Sequence, residues 1–513
     1  MHAIGIDVGS TNLKVVLVDR DGTIVAATSR PLRTTTDGDR VGQDADELWE
    51  RLCAAIRELS DAHPAAAADV VAIGTCSQYS SLVPVAADGA ALAPIKMYLD
   101  SRGADHCWEI HARHPEAFAT WVEHHGIPPV GEGLTLSHLL HFQHDESEIH
   151  SACSTYLEVM DLVTFRLTGR VTATGATMFA SQLCETRVAP DRSTPEDSYD
   201  PVLVEMAGVD PSRLPPLVAV DAAAGTLSPE VASRLGLGEH VVVRVGMNDT
   251  QAGALATGAL DDDSICGLAV GTTAVLIQSM HGSGADIDRE VFSMPVAWPG
   301  RRVVMAENGV AGRSVERALE VLAVPGSDPD TWFDELSGAL ERTEPGAGGV
   351  LFLPWLGGSM SPSSASAMRG GYLGMTLQTN RDDVLRATVE GVARNLRWLL
   401  PAVEALSGVE ASHLVFAGGG ARVAGLAQII ADVTGRRVDV LERPELAVAR
   451  AVAVAALATS GESAAPATGS PAVSVAASYL PDPDARAVHD RLQPLFEAAF
   501  EANRSICEAL GHE

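Results

Sequence analysis

Aromatic residues make up only 4% of this 513-residue chain, and long apolar runs are missing. A membrane span needs about 20 consecutive apolar residues, whereas the longest Ala/Val stretch, Ala447 to Ala458, is interrupted by Arg450. Basic residues are scarce as well: 36 Lys and Arg stand against 67 Asp and Glu, a formal charge of −31. Nucleic acid and anionic lipid are both held through Lys and Arg, so neither is an expected partner. The seven cysteines are scattered singly without a C-x-x-C pair, which removes the usual zinc and redox motifs. Their odd number argues against a disulfide framework, and an amino terminus that runs straight into a strand pattern shows no secretory signal. A cytoplasmic protein with reduced thiols is expected. No G-x-x-x-x-G-K-[ST] occurs, and Val423 stands where Gly418-Gly419-Gly420 would need a further glycine, so neither a P-loop nor a Rossmann fingerprint fits.

What the chain does contain is glycine, 47 residues of it, within a composition that is 46% hydrophobic. That balance suits helices packed closely on sheets and turns that approach ligands, and the length corresponds to about two to four domains. An α/β fold is expected. From Ala3 to Val18, β-branched alternation flanks Gly9-Ser10-Thr11-Asn12, which predicts two strands joined by a tight turn. The pattern returns downstream: Gly5-Ile6-Asp7-Val8-Gly9-Ser10-Thr11 is echoed by Gly267-Leu268-Ala269-Val270-Gly271-Thr272-Thr273. The chain reads as an internal duplication whose two turns offer backbone N–H groups to an anion across a shared cleft. Only the first copy has a carboxylate, Asp7 where the second has Ala269, so only that turn can organise a cation.

Other elements follow from periodicity: a helix over 44–59, a strand over 70–74 and a closing helix over 483–510, with a surface loop at 461–473. The second repeat is expected to start near Val241, with a buried strand over 241–245. Gly246-Met247-Asn248-Asp249 then leads into a small-residue helix over 250–260. A third glycine turn, Gly418 to Ala421, separates a strand over 413–417 from a helix over 425–434. One glycine turn is weak evidence of a site. Two matching turns, a third before a helix and an acid at another strand end point together to a nucleotide cleft. For Asp249 the residues alone leave two roles open, a catalytic carboxylate or an ordinary helix cap.

These motifs, in this order, resemble those of the FGGY carbohydrate kinases of the actin-like, ribonuclease-H-like ATPase superfamily, xylulose kinases in particular, from Ile4 to about Leu495. Arg369-Gly370-Gly371 with Arg386 to Ala393 is similar to the family's carboxyl-side signature. The resemblance implies an α/β fold of two ribonuclease-H-like domains, 1–244 and 245–513, flanking a catalytic cleft. It implies transfer of phosphate from ATP, with Mg²⁺, to a sugar hydroxyl. Gly9, Ser10, Thr11 and Asn12 would form the first phosphate motif and Gly271, Thr272 and Thr273 the second. Gly312, Gly419, Gly420 and Ala421 would meet the nucleotide, and Asp7 would hold Mg²⁺ through water. Asp249 would take the proton of the attacking hydroxyl, which is a poor nucleophile without a base. Gln78, Tyr79, Ser80, Asp100 and Arg102, together with Asp249, would face the sugar.

Substrate choice is less constrained, because xylulose kinases carry a Met-His pair where Tyr79 and Ser80 stand here, and those hydroxyls have a different reach. A ketopentose such as D-xylulose leads, with ribulose, erythritol, glycerol or gluconate as alternatives and a homodimer allowed. A non-catalytic sugar sensor of the same fold would not need Asp7 and Asp249, and an actin-like filament would not need Gln78, Asp100 and Arg102. His138, His141 and His144 share a helix side, but zinc needs converging ligands, and a solvated helix is expected. Asp261-Asp262-Asp263 reads as an exposed turn.

Overall fold

The computed structural model describes residues 1–510 apart from 130, 132, 187–197, 297–300, 324–327, 329–330 and 459–473. The loop expected at 461–473 lies outside the described residues. At the amino end, β1 (His2–Val8) and β2 (Asn12–Asp19) pair antiparallel about the predicted turn, and β3 (Ile24–Pro31) continues the meander. Next comes α1 (Ala45–Ala62), where the Asp44 side chain accepts hydrogen bonds from the Asp46 and Glu47 amides. Its Leu48, Leu52, Ile56 and Leu59, at helical spacing, enter the same core as Ile4, Ile6 and Val15. The chain returns as β4 (Val70–Ser77), parallel to β1, and β5 (Val242–Arg244) lies parallel to β4. The first sheet thus runs β5-β4-β1-β2-β3, with Ala223–Thr226 beyond β5.

The placement of β5 corrects one expectation. Its Val-rich run, read as the opening of the second repeat, completes the first sheet. A buried strand carries no mark of which sheet will take it. After α2 (Asp249–Thr257), the middle five strands of the eight-stranded second sheet are β6 (Ile265–Val270), β7 (Ala274–His281), β8 (Arg301–Asn308), β9 (His413–Ala417) and β10 (Arg437–Leu441), in the order β10-β9-β6-β7-β8. Pairing repeats that of the first sheet: β6 is antiparallel to β7 and β7 to β8, while β9 and β10 run parallel to β6. The duplication seen in two turns therefore extends to two five-strand units of one topology. Three more helices matter below: α3 (Gly312–Val321), α4 (Leu426–Thr434) and α5 (Ala447–Ala458).

Small residues decide how the two sheets come together. Gly5 and Gly74 are paired side by side on β1 and β4, and α5 crosses them so closely that a Cβ on either would overlap the carbonyl of Ala449 or Val452. On the other sheet a Cβ at Gly267 would lie 2.5 Å from Thr257 Oγ1 of α2. Helices α2 and α5 also pack on each other, so the two sheets meet through a pair of Ala-rich helices. Val452, Ala449 and Ala453 are fully buried there, and burying a valine contributes about 1.5–3 kcal/mol. Among the described residues no helix is long and apolar enough to cross a membrane.

The histidine expectation is overturned. Helix Thr135–His144 is buried along most of its length, His138 has no exposed surface, and only His144 of the three is exposed. Burial pushes the His138 imidazole down to about 3, and a neutral ring is compatible with a core. His141 is held by Asp145 at 2.8 Å and Glu146 at 3.2 Å. Of the three acids read as an exposed turn, Asp261 and Asp262 are exposed, whereas Asp263 is half-buried and accepts from Ser279 Oγ at 2.6 Å.

Candidate active site

Three neighbouring parallel strand segments end in register. Val8 of β1 pairs with Ser77 of β4, and Ser77 pairs with Asn248 of the short segment Met247–Asn248. The next residue of each is Gly9, Gln78 and Asp249, so a predicted phosphate residue, a predicted sugar residue and the predicted base emerge side by side. Strand ends in open α/β sheets are where ligand crevices form. The second sheet does the same on a smaller scale: Ala269 pairs with Ala417, and one residue beyond their successors begin Gly271-Thr272-Thr273 and Gly419-Gly420-Ala421.

Asp249 is the first residue of α2, and it does not cap that helix. Asn248 does: its side chain accepts from the Gln251 amide at 2.8 Å while the Gln251 side chain accepts from the Asn248 amide at 3.0 Å. This removes the capping role that the residues alone had left open. The Asp249 Oδ1 is shielded from solvent and has no hydrogen-bond partner. Burial pushes its carboxyl up to about 7, and the neighbouring Asp7 and Glu307 push the same way. A carboxylate with this pKa takes a proton readily near neutral pH.

Asp7 is buried and accepts from Lys14 Nζ at 3.1 Å, while the Cys76 thiol lies 3.8 Å from its other oxygen. Both neighbours follow from pairing, since Asp7 is opposite Lys14 on β2 and Cys76 on β4. The Asp7 charge raises the Lys14 pKa, against the opposing pull of burial. Among the described residues no three His, Cys, Asp or Glu side chains converge into a metal cage. Mg²⁺ keeps several waters and takes one or two carboxylates plus substrate phosphates, so a single carboxylate beside a phosphate turn fits it.

The turns are braced through their carbonyls. Gly9 N–H donates to Asn12 at 3.0 Å, and Ser10 O accepts from Gln43 Nε2 at 2.8 Å and Thr34 Oγ1 at 3.2 Å. In the second turn Gly271 N–H donates to Thr273 O at 2.8 Å. Its carbonyls accept from the start of α3: Ala311 N to Thr272 O at 3.0 Å and Gly312 N to Gly271 O at 3.0 Å. Gly312 was expected beside the nucleotide, but its amide is spent on the turn, and a Cβ there would overlap the Gly271 carbonyl. Gly420 lies against Val270, where a Cβ would come within 2.9 Å of the carbonyl, while Gly419 faces open space. The second and third turns are therefore adjacent.

On the sugar side Gln78 is buried, donates to Gln43 Oε1 at 3.2 Å and keeps its own carbonyl oxygen without a partner. Ser80 has φ of 53° and an unpartnered hydroxyl. Tyr79 reaches across to the second sheet, its hydroxyl 3.4 Å from Met305 Sδ of β8. Asp100 and Arg102 differ from expectation. Asp100 has no exposed surface, and its oxygens accept from Arg102 Nη2 at 2.7 Å, Lys96 Nζ at 3.5 Å and Val41 N at 3.1 Å. Burial opposes ionisation there, but these donors hold its carboxyl below the usual range. Arg102 also meets Glu146 at 3.2 Å and keeps part of its side chain exposed.

Gln43, Lys14, Tyr98 and Glu307 belong to the site and were not anticipated. Tyr98 hydrogen-bonds Ser10 and shares the field of Glu307 and Asp249; with burial as the main cause, its phenol is pushed up to about 12. Glu307 hydrogen-bonds Thr273, and burial raises its pKa. Lys14 was deducible from hairpin register, and Tyr98 stands two residues before Asp100. Gln43 and Glu307 carry no sequence signal of their own.

Two sheets of one strand order, joined through packed helices and each ending in glycine turns, constitute an actin-like ATPase fold. The chain belongs to the FGGY family of carbohydrate kinases: residues 2–256 match the family's N-terminal domain and 292–459 its C-terminal domain. It is 27% identical to the xylulose kinase of Escherichia coli (strain K12) over 437 residues, 85% of each chain. It is 22% identical to the gluconokinase of Bacillus subtilis (strain 168) over 457 residues, 86% of this chain and 85% of that one. The crystal structure of xylulose kinase from Rhodospirillum rubrum shares the fold with a TM-score of 0.83 at 22% identity, covering 99% of this chain and 100% of that one. The protein is a sugar kinase, and FGGY kinases use ATP as phosphate donor.

Proposed function

We propose that this kinase phosphorylates a hydroxyl of a ketopentose, D-xylulose first, and that Asp249 is its general base. The observation that carries the mechanism is the alignment of strand ends, which sets Gly9, Gln78 and Asp249 next to one another. Asp249 takes the proton of the sugar hydroxyl as its oxygen bonds to the γ-phosphorus of ATP and the bond to the β-phosphate oxygen breaks, releasing ADP. Gly9, Ser10, Thr11 and Asn12 face the phosphates from one side, and Gly271, Thr272 and Thr273 from the other; Gly419, Gly420 and Ala421 flank the nucleoside. Asp7 would hold Mg²⁺, and that ion would supply neutralisation of phosphate charge when bound. Lys14 holds Asp7 in place through its 3.1 Å contact. Gln78, Tyr79 and Ser80 line the sugar, and domains 1–244 and 245–513 close on it to exclude water. A cytoplasmic setting accords with seven cysteines that are scattered singly in the sequence and buried in the fold.

Similarity to xylulose kinases supports the ketopentose, and similarity to a gluconokinase supports an aldonate as the second reading. A coupled ADP-release screen over pentuloses, hexuloses, polyols and aldonates separates them. D-Xylulose is expected to give the highest kcat/KM, and a tenfold preference for gluconate would replace it.

A further inference from the structure

We infer that Gln251 is the positioning residue that fixes Asp249 between the two sheets. The inference rests on Asp249 as the base.

Gln251 is the third residue of α2 and is 4% exposed. Its amide makes three different attachments. The Oε1 closes the capping box on the Asn248 amide at 3.0 Å. Nε2 donates to Pro295 O, on the second-sheet strand Val291–Pro295, at 2.8 Å, and approaches Ala176 O of the first half at 3.5 Å. The Ala176 carbonyl sits on a stiff turn, because Thr174 N donates to Thr177 Oγ1 and Thr177 N to Thr174 Oγ1, each at 3.0 Å. Asn248 is itself buried, and its Nδ2 meets Met294 Sδ at 3.5 Å, one residue before Pro295. One side chain thus ties the residue preceding Asp249 to a carbonyl from each half of the molecule.

The residue type fits this task and excludes its usual substitute. A capping box is commonly closed by Glu or Gln, and for the helix alone the two are equivalent. Only Gln can also donate, since an ionised carboxylate offers acceptors alone. A Glu here would keep the cap and turn a carboxylate oxygen against two carbonyls. The cap therefore explains Glu or Gln, and the two carbonyls explain Gln. Asp249 needs such a mount because one oxygen of its carboxyl, Oδ1, has no partner, and the hydrogen bonds it does receive come from backbone amides of its own helix start.

The test compares Gln251→Glu and Gln251→Met in the full-length enzyme, alone and combined with Asp249→Asn. Either single variant should lower kcat roughly 10–100-fold, the scale of a small misplacement of a catalytic group, with both KM values changed less than threefold. The lower limb of the pH–kcat profile should also move. In the Asp249→Asn background the same changes should cost less than twofold, because nothing remains to be positioned. A folded variant with normal kcat, an undiminished loss in the Asp249→Asn background, or failure of both variants to fold would overturn the inference. Near-normal turnover of Asp249→Asn alone would instead remove Asp249 as the base, a distinct result.

Discussion

The two repeats place different chemistry at one topological address. In the first, the strand position before the turn holds Asp7, with Lys14 and Cys76 as its cross-strand neighbours; in the second it holds Ala269, with Val275 and Ala417. A polar triplet and an apolar triplet thus occupy equivalent places. The first repeat sets charged and thiol side chains at that address; the turns of the second are glycine, threonine and alanine, and the carbonyls of Gly271 and Thr272 are tied back into the start of α3. Duplication provided a symmetric frame, and the asymmetry of a few residues gave that frame a direction, from nucleotide to acceptor.

The largest way to break this comparison is to remove the proposed base, Asp249, from the first-sheet edge. Asp249→Asn should lower kcat roughly 10²–10⁴-fold while ATP binding persists, measured by steady-state kinetics and nucleotide titration. In the unaltered enzyme kcat/KM should rise with pH up to about 7 and level above it, as the carboxyl loses its proton. Stability should run the other way. A carboxyl whose pKa is raised by folding retains a proton that the unfolded chain gives up, so stability falls as pH rises from about 4 to 7. Asp249→Asn should flatten part of that slope in thermal unfolding followed across pH. Activity that tracks stability instead would contradict the assignment.

A smaller effect tests whether the polar triplet can be moved. Asp7→Ala should raise the Mg²⁺ needed for half-maximal rate about 10–100-fold, the usual worth of an outer-shell carboxylate. Adding Ala269→Asp should not restore it, because Val275 and Ala417 offer no partner for the charge. Recovery would mean that the two addresses are interchangeable.

The smallest effect falls on the second repeat. Gly420→Val should raise the KM for ATP roughly tenfold and that for sugar much less, because the side chain would push against Val270 and shift the second turn. Equal changes in both constants would place the damage in the fold at large.

Much of this division was legible beforehand. The repeated hairpin motif announced both sheets, and the missing carboxylate at Ala269 announced their inequality. Other features depended on contacts that no local pattern encodes. The run 241–245 has the composition of any buried strand, so its sheet was decided by partners distant in the chain. His138 and His141 lie on a helix enclosed by other elements, and spacing alone did not show the enclosure. Asp100 and Arg102 were read together as facing the sugar, but the burial of Asp100 was not legible, since sequence gives proximity more readily than exposure. Gln43 and Gln251 were invisible because an amide has no charge and no period, and its worth lies in which carbonyls it meets.

The seat of α5 has a consequence for how this protein is made. The glycine pair at Gly5 and Gly74 is filled by a helix that lies far downstream of it in the chain, Ala447–Ala458. Until that helix has been synthesised, the central strands of the first sheet lack the partner that covers this face. Like charges repel, so with 67 acids against 36 bases the chain should associate little with its own copies while that face is open.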